Sequence, residues 1–160
     1  MVSSPPNIEA GPDWIRKGFG DIGKADDILR NRCSIGVNSI KITDIKVHII
    51  SAPLEEPFLY SQRWVHTRDS VLVEVDVEDG TVGFGECLCH GGQTPHMSAA
   101  IIESSFRPLV VGEDVFDVSV IWERLYNHVR MVGQQGIVIN AQSGIDIALW
   151  DAIGKILHQP

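Results

Sequence analysis

Residues 140–160 read N-A-Q-S-G-I-D-I-A-L-W-D-A-I-G-K-I-L-H-Q-P, and they admit few folds around them. Ala141, Ile145, Ala148, Leu149, Ala152 and Ile156 recur at steps of three and four, the spacing of one helical face. Ile147, Trp150, Ile153 and Leu157 cover much of the remaining circumference. A helix apolar nearly all round has to be buried on several sides. Its few charges are Asp146, Asp151 and Lys155, the last two four apart in the order that favours an ion pair. Ala141, Gly144 and Ala148 form a strip of small residues along which another backbone can come close. Gly144 and Gly154 each cost a helix about 1 kcal/mol relative to alanine, so close packing has to offset them. A buried helix followed at once by the chain end is expected to have a partner surface beyond it.

A chain of 160 residues suffices for one domain with a proper core and is too short for a barrel of about 250 residues. The net charge of -8 and the lack of a basic cluster argue against nucleic acid as a partner. No apolar run is long enough to span a bilayer, so no membrane role is expected. Cys33, Cys87 and Cys89 make an odd set, which suits a reducing compartment better than a disulfide framework. The N-terminus lacks the basic-then-apolar layout of a secretory signal, and a cytoplasmic location is expected.

Residues 1–39 carry Pro5, Pro6, Gly11, Pro12, Gly18, Gly20 and Gly23, which interrupt every candidate element, and are read as a disordered extension. Residues 40–51 alternate as a half-buried strand, with Thr43, Ile45, Val47 and Ile49 on one side and Asp44, Lys46 and His48 on the other. His48 is read as a solvated histidine. Residues 52–67 read as a long connection, because Pro53 and Pro57 oppose a regular element. That connection carries Phe58, Tyr60, Arg63, Trp64 and His66. Long connections in compact domains are commonly functional, yet the same aromatics could fold onto their own domain. A second strand follows over 68–78 with Val71, Val73, Val75 and Val77 inward. Asp79-Gly80 then predicts a two-residue hairpin turn into a third strand over 81–88.

Gly83 and Gly85 do not make a dinucleotide fingerprint, since Leu88 stands where the third glycine is required. Cys87, Cys89, His90 and His96 can be weighed as a zinc site, but no second ligand pair follows at finger-like spacing, and core thiols with loop histidines are the favoured reading. Thr94 and Pro95 suit the start of a helix that buries Met97, Ala100, Ile101 and Phe106 and ends at Pro108. Asp117 can cap a further helix burying Val118, Ile121, Trp122, Leu125 and Val129, with Tyr126 also read as core. The fold class is therefore α+β: a small three-stranded antiparallel meander followed by a helical bundle.

The segment S-G-I-D-I-A-L-W-D-A-I-G-K-I-L-H-Q-P closely resembles the helix that closes the N-terminal capping domain of the enolase superfamily. Within it, the mandelate racemase and muconate lactonizing group is the most similar. G-T-V-G-F-G-E resembles the same family's G-x-x-G-x-G-E strand, with its glutamate at Glu86. The resemblance covers residues 40–160 and implies that the capping domain begins near Ile40. It implies a racemase, acid-sugar dehydratase or cycloisomerase that removes a proton next to a carboxylate, with Mg²⁺ stabilising the enediolate. The metal ligands and bases implied lie on a C-terminal (β/α)-barrel, so no catalytic or metal residue is assigned within this chain. Two loops are implied to close over the barrel mouth and shape substrate choice: one with Tyr60, Arg63, Trp64 and His66, the other with His90 and Gln93. The implied partners are that barrel, a small carboxylate such as an acid sugar or hydroxy acid, and further copies in a homo-oligomer. A different possibility is a binding module without a barrel, since fold alone does not fix function.

Overall fold

The computed structural model describes residues 39–61, 63–89 and 95–159. Apart from Ser39, the extension read over residues 1–39 lies outside the described residues, as do His90 and Gln93. Three antiparallel strands, β1 (Ile42–Tyr60), β2 (Arg63–Val77) and β3 (Val82–Cys87), lie side by side in chain order. Helix α1 (Pro95–Ile101) runs through a π-helical turn (Ile102–Phe106) into α2 (Arg107–Val110); α3 (Val118–His128) and α4 (Ile137–Ile156) follow. This is the α+β meander-and-helices architecture that the patterning predicts.

β2 is the central strand, and its alternation sorts the two faces of the sheet. Val71, Val73, Val75 and Val77 are buried on the helix side, each such side chain contributing about 1.5–3 kcal/mol relative to exposure. The opposite face is ionic. Lys46 Nζ lies 2.9 Å from Glu74 Oε1 and 2.5 Å from Asp76 Oδ2, and His48 Nε2 lies 2.8 Å from Glu74 Oε2. The hydrogen bond from Lys46, then that from His48, holds the Glu74 carboxyl below its ordinary range. Between Ile42 and Asp44 the register slips, so Ile42 takes the inward place and Thr43 turns out to solvent, reversing the alternation expected there.

The Asp79-Gly80 hairpin forms with a different turn. Only Gly80 is left-handed, at φ +87°, and its N–H donates to the Val77 carbonyl at 3.0 Å. Val77 N–H in turn donates to Thr81 O at 3.0 Å, so the loop has three residues and a bulge. Asp79 caps Thr81 N–H with its carboxylate at 2.8 Å, which needs no positive φ at Asp79.

The first helical segment is rotated from the face read in the sequence. Pro95, Ser98, Ala99, Ile102, Phe106 and Val110 are buried, whereas Met97 and Ala100 are exposed. Pro108 does not end the segment. The Arg107 N–H reaches back to the Ile102 carbonyl, a five-residue step that places Pro108 at the start of α2, where a missing N–H costs little. In α3, Val118, Ile121 and Leu125 are buried as expected, but Trp122 is only half-buried and Tyr126 is exposed. Asp117 occupies the cap position without a side-chain hydrogen bond.

α4 begins three residues before Asn140 and lies antiparallel along β3, with Gly83 beside Ala148 and Ala152, and Gly85 beside Gly144. The small-residue strip therefore receives a strand backbone. A Cβ on Gly83 would fall 2.8 Å from the Ala152 methyl and closer still to the Ala148 carbonyl. α4 also guards the sheet's free edge. Phe84 N–H donates to Asp151 Oδ2 at 2.8 Å, and Lys155 donates to the Val82 carbonyl at 2.8 Å. On the far side of the helix Ile147 is 49% and Trp150 38% exposed, so the apolar girdle is not fully covered by the described residues.

Candidate functional site

The stretch read as an irregular connection is a β-ribbon. Beyond the level at which Val71 meets Cys87, β2 continues with β1 as its sole partner strand among the described residues. From Val71 to Arg63 that ribbon extends about 26 Å at strand rise. Its root is stitched by hydroxyl-to-carboxylate bonds, Ser51 Oγ to Asp69 Oδ1 at 2.6 Å and Thr67 Oγ1 to Asp69 Oδ2 at 3.2 Å. The prolines act as the sequence suggested, but locally. Pro53 pairs with Thr67 and Phe58 with Val65, leaving residues 54–57 as a bulge opposite His66. β1 is an edge strand, where proline's missing N–H can be tolerated.

At the tip, Tyr60 faces Arg63 across a two-residue turn whose first residue, Ser61, takes φ +53°. Paired residues share a face, and faces alternate along each strand. Tyr60 and Arg63 therefore lie on one face with Phe58 and Val65, and Trp64 lies on the other with Leu59. The rings agree with this division. Phe58 and Tyr60 stand 6.5 Å apart between centroids, and Trp64 and His66 6.4 Å apart. The sequence had grouped Tyr60, Arg63, Trp64 and His66 as one set. The structure brings all four to one tip but separates them into a phenol–guanidinium face and an indole–imidazole face. Leu59, opposite Trp64 and 52% exposed, belongs with the second face and was missed because the segment was not read with strand alternation.

Glu86, the carboxylate of the glycine-rich strand, accepts from Ser70 Oγ at 2.6 Å on the sheet's outer face. Cys87 is buried between β3 and α4, and burial above all pushes its thiol up to about 12. Cys89, half-buried, donates to the Cys87 carbonyl at 3.7 Å, and burial also raises its pKa. Among the described residues no group of three or more His, Cys, Asp or Glu side chains could hold a metal ion. No helix of the described residues is long and apolar enough to cross a membrane.

A three-stranded meander backed by a long small-residue helix, with a two-stranded arm projecting from it, defines a cap-type α+β domain. The particular family follows from comparison with known proteins. Residues 42–160 match the model of the mandelate racemase / muconate lactonizing enzyme N-terminal domain, and the chain belongs to that family. It is 41% identical over 116 residues to D-galactarolactone cycloisomerase of Agrobacterium fabrum, covering 72% of this chain and 29% of the relative. It is 38% identical over 96 residues to L-rhamnonate dehydratase of Saccharopolyspora erythraea, covering 60% of this chain and 23% of the relative. Among solved structures, muconate lactonizing enzyme from Mycobacterium smegmatis, complexed with muconolactone, aligns with TM-score 0.63 at 32% identity. That alignment covers 73% of this chain and 31% of the other. The chain thus spans less than a third of the length of these relatives.

Proposed function

We propose that this chain is the capping domain of a Mg²⁺-dependent enzyme that removes a proton next to a carboxylate, and that the ribbon tip helps to close the mouth of a C-terminal (β/α)-barrel. The observation that carries this reading is the projection of the ribbon about 26 Å beyond the third strand, with Tyr60 and Arg63 paired at its end. An arginine fork matches a carboxylate in two hydrogen bonds, and a phenol can bond a hydroxyl. Both suit a small hydroxylated acid, an acid sugar or a hydroxy acid. In this reading the ribbon orients the substrate and excludes water, as lids commonly do. In the complete enzyme a bound Mg²⁺ would supply electrostatic stabilisation of the negative charge that proton removal leaves. In this reading the residues that hold the ion lie on the barrel.

A hybrid tests this. Residues 42–160 replace the matching segment of the Agrobacterium fabrum cycloisomerase, and kcat/KM is measured for a lactone and for several sugar acids. The reading expects Mg²⁺-dependent turnover with a reordered substrate ranking, and Arg63→Ala should shift that ranking again. A hybrid with turnover but the parent's ranking, insensitive to Arg63→Ala, would remove the specificity role.

A further inference from the structure

The chain holds a single Asp-Gly pair, Asp79-Gly80, and no Asn-Gly pair. An Asp-Gly link is prone to rearrange in water, because glycine has no side chain to hinder its backbone nitrogen as it approaches the aspartyl carboxyl. The Gly80 nitrogen attacks Asp79 Cγ, the carboxyl's hydroxyl leaves as water with the amide proton, and a succinimide ring closes. Water then opens the ring at either carbonyl. One opening restores aspartate. The other gives isoaspartate, whose main chain runs through Cβ and Cγ and is longer by one methylene. Here the fold holds both reacting groups away from this path. Gly80 N–H donates to the Val77 carbonyl at 3.0 Å, and Asp79 Oδ1 accepts from Thr81 N–H at 2.8 Å. Glu78, Asp79 and Gly80 are all exposed, so it is these hydrogen bonds, and not burial, that restrain the reaction. The strands on either side are tied independently, Glu78 N–H donating to Lys41 O and Lys155 Nζ to Val82 O, each at 2.8 Å. The turn can therefore open while the domain stays folded.

We propose that Asp79-Gly80 is a site of spontaneous isoaspartate formation, that the hairpin turn sets its rate, and that the modification loosens the third strand. This goes beyond the capping role and does not depend on it. The link is durable while the Gly80–Val77 and Thr81–Asp79 bonds hold, and labile whenever the turn opens. The product matters because Thr81 leads directly into β3, whose Gly83 and Gly85 seat α4 with backbone against backbone. Val77 N–H donates to Thr81 O at 3.0 Å, so the turn fixes where β3 starts relative to β2. A main chain lengthened between Asp79 and Gly80 sets that bond against the seat of α4. Contacts so close leave no slack to absorb the extra methylene.

The test ages the full 160-residue chain at neutral pH, with and without guanidinium chloride, and follows isoaspartate at position 79 by peptide mass spectrometry with electron-transfer fragmentation. Isoaspartate should accumulate in both samples, about tenfold or more slowly in the folded one, since two native hydrogen bonds must open first. Glu78→Gly frees the backbone of the turn and keeps both bonded groups. It should raise the folded-state rate several-fold and leave the rate in guanidinium nearly unchanged. Aged chains refolded from guanidinium should melt lower than unaged chains refolded alike, in proportion to their isoaspartate content. No isoaspartate at position 79 in guanidinium, equal rates folded and unfolded, a folded-state rate that Glu78→Gly does not raise, or a midpoint independent of isoaspartate content would each overturn the proposal.

Discussion

Gly85 lies directly under the carbonyl of Gly144, and a methyl group on Gly85 would fall inside that oxygen's contact surface. The helix rests on the strand with no side chain between them, which explains why α4 tolerates glycine in mid-helix. Gly85→Ala or Gly83→Ala should lower stability by about 1–3 kcal/mol or more, since the obstructing atoms are backbone and cannot turn aside. Urea midpoints of the two variants against wild type check this; unchanged midpoints would mean that α4 can lift off β3 at little cost.

Asp151 should matter more than an ordinary surface acid. Burial opposes its ionisation, but the hydrogen bonds from Lys155 and from Phe84 N–H together hold the carboxyl below its ordinary range. A carboxyl of lowered pKa stabilises the fold above the unfolded value near 3.8 and loses that contribution as pH falls through the folded value. Asp151→Ala should cost about 1 kcal/mol at neutral pH, a figure kept modest because the pair is partly exposed. The gap to wild type should narrow between neutral pH and an acid pH below the unfolded value of 3.8, because the folded carboxyl is protonated only below that value. Denaturant titrations at the two pH values measure it.

Cys87 gives an alkaline counterpart. Burial raises its thiol from an ordinary 9.0 to about 12, so the folded chain keeps a proton that the unfolded chain releases. Its contribution is complete below pH 9 and is lost as pH rises towards 12, with a slope of about 1.4 kcal/mol per pH unit for one group. Cys87→Ala should flatten the fall in thermal midpoint over that window. In the native chain at pH 8 the Cys87 thiol should be alkylated far more slowly than after unfolding, as mass spectrometry of labelled peptides would show.

Asp146 is half-buried on α4, and desolvation raises its carboxyl pKa. A carboxyl so raised disfavours folding once pH exceeds its unfolded range. Asp146→Asn should therefore raise the thermal midpoint of the chain at pH 7. A fall instead would reveal a favourable partner for the carboxylate.

Arg63→Ala, Trp64→Ala and His66→Ala should leave the chain's stability within about 0.5 kcal/mol of wild type, since these side chains are exposed on a ribbon that projects from the sheet. Arg63 and Trp64 are both exposed, Trp64 by 57%. In the hybrid enzyme, substitutions on one face of the ribbon should change kcat/KM and those on the other should not. Equal effects from Arg63→Ala and Trp64→Ala would show that the face division carries no specificity.

The valine alternation of β2 and the three-four spacing of α4 were legible because each repeats a single period over many residues. Gly83, Gly85 and the Ala141–Gly144–Ala148 strip also pointed to close approach, without showing that each was the other's partner. Two prolines hide the ribbon, because in the sequence alone they oppose a strand. At a sheet edge, Pro53 and Pro57 bend the ladder and leave the strand intact. The face of α1 was misread because the π-helical turn adds a residue that no fixed period anticipates. Tyr126 is exposed against expectation, because spacing alone cannot tell a tyrosine at the rim of a helical face from one at its centre. The division of the tip depends on strand register, and once 52–67 was read as a connection no alternation remained to reveal it.

The antiparallel run of α4 along β3 places the ribbon tip and the C-terminal end of α4 at opposite extremes of the domain. Lys155, near that end, bonds the Val82 carbonyl beside the Val77 turn, and Arg63 stands fourteen residues along β2 from Val77. At strand rise that separation is about 46 Å, so a rotation of roughly 5° about the helix end sweeps the tip through about 4 Å, more than the reach of a hydrogen bond. The geometry is that of a long pointer on a short pivot. In the proposed lid, residues that set the seat of α4 beside Val82 govern the aim of Tyr60 and Arg63 without meeting a ligand themselves.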